Sequence, residues 1–342
     1  MPCRRADGAQ PEGAAPMRRR TLALSALSLL AGPALAAYPE RVVTMATGFA
    51  PGGSTDIAAR LLADRMAEHL GPQTRLVVEN RPGASGIVAS DWLRRQAPDG
   101  YTVMLVESSS HAIAPSALVG GTRYDPLRDF SHLGVIGLAP LALVVNKDFP
   151  AQDAAGVVAT LRAAPPETYT YATSGVGSIP HLASELLALG LGTRFVHVPY
   201  RSGGQMLTAI FQGEGQFGIA VLASAAQQIR DGMVRGIAVT GDRRFPSFPD
   251  LPTLAESGVS GYDLTTWNIL LGPPAMPAEI QAALNRALNA ALAEPGLRER
   301  LLTAGVEAWD RPNAPADARA FLAREVAKFR DVVQRTGVRL ET

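Results

Sequence analysis

The stretch TGFAPGGSTDIAARL, residues 47–61, joins two kinds of pattern. Before it, Arg41-Val42-Val43-Thr44-Met45 is a β-rich run. After it, Ile57, Leu61, Leu62, Met66 and Leu70 recur at helical spacing, which predicts a helix over 55–70. A proline and two adjacent glycines separate the two patterns. A strand feeding a helix through a short glycine loop is the opening of a βαβ unit. Helix N-termini expose unpaired N–H groups and carry partial positive charge, so such a loop can aim donors at an anion. The same residues also make a plain cap, with Ser54 or Thr55 capping and Asp56 complementing the dipole. Both readings stand at this point.

Outward from this stretch the unit repeats. Leu76-Val77-Val78 reads as the next strand, NRPGASG (80–86) as a turn, then a helix to about 96 and a strand over 102–106. This βαβαβ order predicts a parallel sheet covered by helices. A second series follows: strand 141–145, helix 154–163, strand 169–173, the loop SGVGSIP (174–180), and a helix aligning Leu182, Leu186 and Leu189. Strand 195–198, helix 205–212 and strands 217–220 and 236–240 continue it, and the tail reads as helices over 277–293, 296–304 and 315–335. No fixed-period repeat and no long linker are visible. Two α/β halves joined by two or three crossing strands point to a hinge.

The chain has 342 residues, long enough for two cores. Lys and Arg number 32 against 31 Asp and Glu, a net charge of +1 with no basic stripe, which argues against nucleic acid as a partner. Aromatics at 6% argue against stacking platforms for single strands. Met17-Arg18-Arg19-Arg20, a short apolar run and Ala34-Leu35-Ala36 form a secretory signal peptide cleaved near Ala36. Residues 1–16 read as an upstream extension with Met17 as an alternative start, and the arginines leave Sec and twin-arginine export both open. The sole cysteine, Cys3, lies in the removed part, so no disulfide and no lipid anchor are expected. The reading is a soluble, exported periplasmic protein.

Enzyme signatures are sparse. GxSxG and GxxxxGK[ST] do not occur. GEGQFG (213–218) matches GxGxxG, but it follows a helix and precedes a strand, so it reads as a helix C-cap and turn. Among His69, His111, His132, His181 and His197 no pair sits three or four apart, so no metal and no cofactor are expected. A secreted serine hydrolase pairing a loop serine with His111 or His181 is the rival class, though spacing nominates no third orienting group.

The loops carry the functional reading. The first mouth offers Phe49, Ala50, Gly52 and Gly53, followed by Ser54, Thr55 and Asp56. VESSSHA (106–112) adds Ser108, Ser109 and Ser110. The second half offers Ser174, Val176, Gly177 and Ser178, with His181 and Tyr200 beside them. Ligands bind at the C-terminal edges of parallel strands, where these loops fall. Neither mouth contains Lys or Arg; Arg81 and Arg201 lie in turns of their own. Backbone and hydroxyl donors are therefore expected to grip a carboxylate between the halves, and Asp56 to lock its loop rather than act as an acid or base.

From about Tyr38 to the C-terminus the chain resembles the Bug-type solute receptors of tripartite tricarboxylate transporters. FAPGGSTDIAAR, VENRPGASG, APDGYTVML, YDPLRDF, SGVGSIPHLASELL, HVPYRSGG and FPDLPTLAESGVSGYDLTTWNILLGPPAMP carry the resemblance. It implies a type II periplasmic-binding-protein-like α/β fold in which each lobe is a mostly parallel sheet flanked by helices, hinged by crossover strands. The lobes are expected at 37–139 plus 262–342 and at 140–261. It also implies a monomeric, non-enzymatic receptor that closes on a small organic acid, partly through ordered water, and delivers it to a membrane transporter or sensor. Where the family often has acidic or polar residues, this chain has Gly218 and then Val221-Leu222-Ala223, and PYK becomes Pro199-Tyr200-Arg201. The distal side of the pocket is therefore expected to be apolar and the ligand a monocarboxylate or aromatic carboxylate rather than an amino acid or a tricarboxylate.

Overall fold

The structure, a computed structural model, describes residues 38–341; the signal peptide, its cleavage site and Cys3 lie outside the described residues. In chain order the first elements are β1 (Val43–Thr47), α1 (Ser54–Leu70), β2 (Leu76–Asn80), a 3₁₀ turn (Ala84–Gly86), α2 (Ile87–Leu93) and β3 (Thr102–Glu107). A π-helical turn (Ser109–Ile113) runs into α3 (Ala114–Ala117), and β4 (Ser131–Val145) follows. The second series is α4 (Ala154–Ala163), β5 (Thr170–Thr173), α5 (Ile179–Leu191), β6 (Val196–Pro199), α6 (Gly203–Gln212), β7 (Phe217–Val221), α7 (Leu222–Arg230) and β8 (Arg235–Val239). The chain closes with β9 (Thr265–Gly272), α8 (Ala278–Ala293), α9 (Pro295–Thr303), β10 (Glu307–Ala308) and α10 (Pro315–Thr336).

The strands run in the order β2-β1-β3-β9-β4-β7-β5-β6, with β8 and β10 also beside β4. The outer pairs are parallel: β1 with β2 and β3, and β5 with β6 and β7. The centre is antiparallel, because β9 and β7 both run against β4, and β9 against β3. The sheets are thus mixed, each with a parallel outer half where the ligand-facing loops were expected. GEGQFG does end a helix: Gly213 is the left-handed C-cap of α6, with φ 83.

β4 is the spine shared by the two lobes. From Ser131 to Pro140 it pairs with β9; from Leu141 to Val145 it pairs with β7. The strand begins ten residues before the expected 141, and β9, α3 and α7 had not been anticipated. Fourteen of the fifteen β4 residues are buried, so neither face alternates with polar residues, and that removes the usual signature of a strand. Gly137 is required there: a Cβ would stand 2.4 Å from the Glu307 carbonyl oxygen on β10. At the change of partner, Leu141 N–H donates to Thr240 Oγ1 (2.8 Å), and that hydroxyl donates to the Leu264 carbonyl (2.6 Å). One buried threonine therefore ties β4 to the segment that returns the chain from β8 to β9.

Each lobe has its own core. In the first, Ala58, Leu62 and Met66 of α1 are fully buried, as are Val43 and Met45 of β1. In the second, Ala142 and Val144 of β4 pack with Met206, Leu207 and Ile210 of α6.

Candidate functional site

The loop from β1 into α1 has a lock. Gly53 is the N-cap of α1 and no side chain caps it, so the capping roles expected for Ser54 and Thr55 are not realised. The buried Asp56 turns back instead. Its Oδ2 accepts from Gly52 N–H (2.9 Å), Oδ1 accepts from Asn80 Nδ2 (2.9 Å), and Arg60 Nε donates to both oxygens at 3.0 Å. Asn80 also donates to the Phe49 carbonyl (3.0 Å). Burial works against the Asp56 charge, but the bonds from Arg60, Gly52 and Asn80 outweigh it and hold the carboxyl below its ordinary value. Gly52 sits at φ +79, a conformation glycine adopts without strain.

Facing this loop are three helix starts of the second lobe. Ser178 caps α5, accepting from His181 N–H and donating to the Gly175 carbonyl (2.6 Å). Ser202 caps α6, accepting from Gln205 N–H (3.3 Å). Val221 precedes α7. The starts of α1, α5, α6 and α7 all border one interlobe cavity of about 20 Å³. Bonds cross the cleft on both sides: Ile179 N–H donates to Ser109 Oγ (2.9 Å), and Ser85 Oγ donates to the Val176 carbonyl (2.9 Å). The cleft is closed.

Of the residues expected to bind ligand, Phe49, Gly53, Ser54, Ser109 and Ser174 line this cavity. Others lie behind the wall. Gly52, Thr55 and Asp56 shape the loop; Ser108 Oγ bonds Thr266 Oγ1 (2.7 Å); Ser110 bonds His111 Nδ1 (2.9 Å). Ala50 and Tyr200 line a separate outer groove, with the Tyr200 hydroxyl turned to Glu214 (3.2 Å), and Val176 is exposed. Gly177 N–H donates to His181 Nδ1 (3.2 Å), and the His181 ring stacks on His197 at 4.2 Å, apart from the cavity lining. Burial pushes both histidines down to about 4, so they are neutral at neutral pH.

Sequence reasoning did not nominate Glu107, Ser202, Gly203 or Ser224, nor Ile179, Pro180, Met206 and Ala220 of the apolar wall, whereas Val221, expected on an apolar side of the pocket, does line it. Ser202 had a legible signal, since Ser202 followed by Gln205 is the S-x-x-Q capping pattern. Glu107 had one too: a single acid closing the apolar run Val103-Met104-Leu105-Val106 at a strand end. Its residue is 4% exposed. Burial pushes its carboxyl up to about 7, although Ser109, Ser108 and Thr266 donate toward it. Among the described residues no Lys or Arg lines the cavity.

The hydrolase reading finds no support in this geometry. His111 beside Ser110 is fully buried against Tyr124 and Phe130, and burial pushes it down to about 3. A base that weak and enclosed does not activate a serine for an outside substrate. Among the described residues no three His, Cys, Asp or Glu side chains gather as a metal set, and no helix is long and apolar enough to cross a membrane. A wider groove of about 570 Å³ near Pro140 and Thr265 is lined by charges that largely pair with one another, Arg243 with Glu307 and Lys328 with Asp263.

Comparison with known proteins agrees with this architecture. The family model described as tripartite tricarboxylate transporter family receptor matches residues 58–338. Protein BugT of Bordetella pertussis is 32% identical over 304 residues, spanning 89% of this chain and 92% of that protein. The structure of periplasmic binding protein BugD superimposes with a TM-score of 0.83 at 30% identity, covering 89% of this chain and all of that one (100%). An R. palustris protein, Rpa4515, solved with adipate, matches at TM-score 0.83 and 31% identity, with 89% and 100% coverage. MatC of Rhodopseudomonas palustris, with bound malate, matches at 0.80 and 30%, covering 86% and 100%. The mixed sheets, the shared spine and the closed interlobe cleft are therefore those of a two-lobed periplasmic solute-binding protein, and the chain belongs to the Bug-type receptors of the tripartite tricarboxylate transporter family.

Proposed function

We propose that this receptor, a monomer exported after cleavage near Ala36, closes on a small organic carboxylate and hands it to a membrane transporter or sensor. The observation that carries the reading is the meeting of four helix N-termini at one cavity that no Lys or Arg lines among the described residues. Their partial positive charge favours an anion without a cationic side chain. A hydrogen bond to a charged acceptor contributes about 1.5–3 kcal/mol, and micromolar binding needs about 8 kcal/mol. Three or four amide, hydroxyl or water donors reach that range before ordering costs. The adipate and malate bound by the related proteins support the ligand class.

The lobes comprise 37–139 plus 262–342, and 140–261, in this proposal, with the hinge where Thr240 ties the two crossings. A cavity of about 20 Å³ admits no more than one water, so a carboxylate enters only when the lobes part. Because a ligand shifts a population only by binding one state better, contacts from both lobes favour closure. Calorimetric titration with mono- and dicarboxylates, paired with small-angle scattering, tests this. Saturable binding with a closed, compact form is expected; failure of every carboxylate to bind at millimolar concentration overturns it.

A further inference from the structure

Among the described residues Glu107 is the only ionisable side chain lining the cavity. Its Oε1 accepts from Ser109 N–H (3.0 Å); its Oε2 lies within reach of the Ser108 hydroxyl (3.3 Å) and the Thr266 hydroxyl (3.4 Å). All of these donors are neutral. Among the described residues no Lys, Arg or His forms an ion pair with it, whereas the equally buried Asp56 has Arg60. Removing a carboxylate from water without a counter-charge costs several kcal/mol. A glutamine would satisfy Ser109 N–H as well and without that cost. At the wall of this cleft the carboxyl meets partial positive charge from a backbone N–H and the helix N-termini, but no full counter-charge from a side chain of its own chain among the described residues.

We propose that Glu107 is the subsite for an ammonium group of the ligand, and hence that the ligand is an amino carboxylic acid. Its carboxylate rests on the helix N-termini and its ammonium meets Glu107. This rests on the carboxylate reading above and narrows it. A zwitterion is neutral overall, and so is a cleft that sets positive helix ends against one carboxylate. A plain monocarboxylate leaves Glu107 unpaired, and a dicarboxylate sets like charges against each other. The apolar wall of Met206, Ala220 and Val221 then packs on the carbon chain rather than on a second polar end.

The sign of the pH dependence separates this from the opposite use of the same residue. An ammonium pairs with ionised Glu107, so affinity falls as pH drops below about 7, the value to which burial pushes that carboxyl. A protonated Glu107 donating to a ligand carboxylate gives affinity that rises as pH drops. The groups around it do not confuse the measurement between about pH 5 and 8. In the turn after β3, burial keeps His111 neutral. Tyr124, which senses the Glu107 charge, is buried and pushed up. Asp91 is held low against burial by Arg94 and Arg95. On β9 the neighbours are Thr266 and Asn268, and across the cleft Ser174, Ser202 and Ser224, none of which titrates there.

The test is calorimetry on the whole mature receptor with size-matched sets: a straight-chain monocarboxylate, its α-amino and ω-amino derivatives, and the dicarboxylate of equal length. The amino acid of one set is expected to bind at least about tenfold tighter than its unaminated partners, weakening as pH falls from about 8 to 5. Glu107→Gln should cost about thirtyfold or more for the amino acid and flatten its pH profile. The comparison among ligands on the wild-type receptor decides the matter even if the variant fails to fold. Unaminated acids binding as well as or better than amino acids, above all with affinity rising at low pH, overturn the ammonium subsite and leave the carboxylate reading intact. No binding by any acid overturns both.

Discussion

Two buried carboxyls stand at the ends of neighbouring parallel strands' loops, and they live in opposite surroundings. Asp56, after β1, is met by Arg60, Asn80 and the Gly52 N–H. Glu107, closing β3, is met only by a backbone N–H and hydroxyls. The first is a structural clamp whose charge is matched inside its own lobe. The second is left electrically unfinished at the cleft wall. Burial alone does not tell a supporting acid from a binding one; the donors around it do.

The sharpest test of that contrast is stability against pH in the unliganded receptor. Below about 4.5 Glu107 is protonated in both folded and unfolded chains and costs nothing. Between 4.5 and about 7 Glu107 ionises in the unfolded chain while it holds its proton in the folded one, so its contribution to stability falls as pH rises, by about 3 kcal/mol in all. Above about 7 the penalty is constant. The buried neutral histidines His111, His181 and His197 make total stability rise over much of this range, so the Glu107 contribution is read by urea denaturation as the difference between wild type and Glu107→Gln, and that difference should show the fall. Asp56 has the reverse sign: its folded value lies below the ordinary one, so its contribution is full above the ordinary carboxylate value and is lost only as pH falls through the lower folded one. A wild-type-minus-Glu107→Gln difference that stays flat between 4.5 and 7 breaks the comparison.

Next in size, Asp56→Ala leaves Gly52 N–H without its acceptor, removes one of the acceptors of Asn80, and should cost about 2 kcal/mol at neutral pH by thermal or urea unfolding. Arg60 is half exposed and regains water, which keeps the loss below that of a fully buried pair. Asp56→Asn keeps one acceptor and should fall between wild type and Ala. An unchanged melting curve for Asp56→Ala would show that the clamp is not one.

Gly53→Val probes the mouth itself. A Cβ there meets the Ala50 carbonyl oxygen at 3.3 Å, and the valine methyls crowd the cavity edge, so affinity should drop about tenfold with little loss of stability. Ser178→Ala, which removes the α5 cap, should have a similar effect on binding. The smallest effects are expected for Arg81→Ala and Arg201→Ala, within about threefold. Arg81 is engaged by Glu79 (2.6 Å) and lies over the Trp92 ring (3.8 Å), and Arg201 is exposed. Titration of the four folded variants ranks them. An arginine variant that alone abolishes binding means the carboxylate is held by an ion pair.

Much of this was legible before any coordinates. α1, α4 and the C-terminal helices have one buried stripe each, and their apolar residues recur at the helical period. The glycine and serine clusters at 50–56 and 174–178 announce strand-to-helix turns. The centre of the sheet was harder. Ser131–Val145 and Thr265–Gly272 are buried on both faces, so they lack alternation, and Gly134, Gly137 and Pro140 read as breaks inside what is one strand. Tyr200 follows β6 just as Ser174 follows β5, yet Ser174 lines the cavity while the Tyr200 hydroxyl turns to Glu214 at an outer groove, a difference that sequence position does not carry. Glu107 was hidden by its neighbours, since three serines after it drew the eye as donors.

The place of β9 between β3 and β4 has a consequence for how the chain comes into being. β3 and β4 never touch each other as sheet neighbours; each waits for a strand that begins at Thr265. A ribosome that has delivered the second lobe in full has still not supplied the piece that completes the first. Until then the growing chain carries an open sheet edge and an unfinished core, and such long-range pairing forms slowly. That delay is useful to a protein bound for another compartment. A chain unable to finish folding before its final strands exist stays threadable for as long as it is being made.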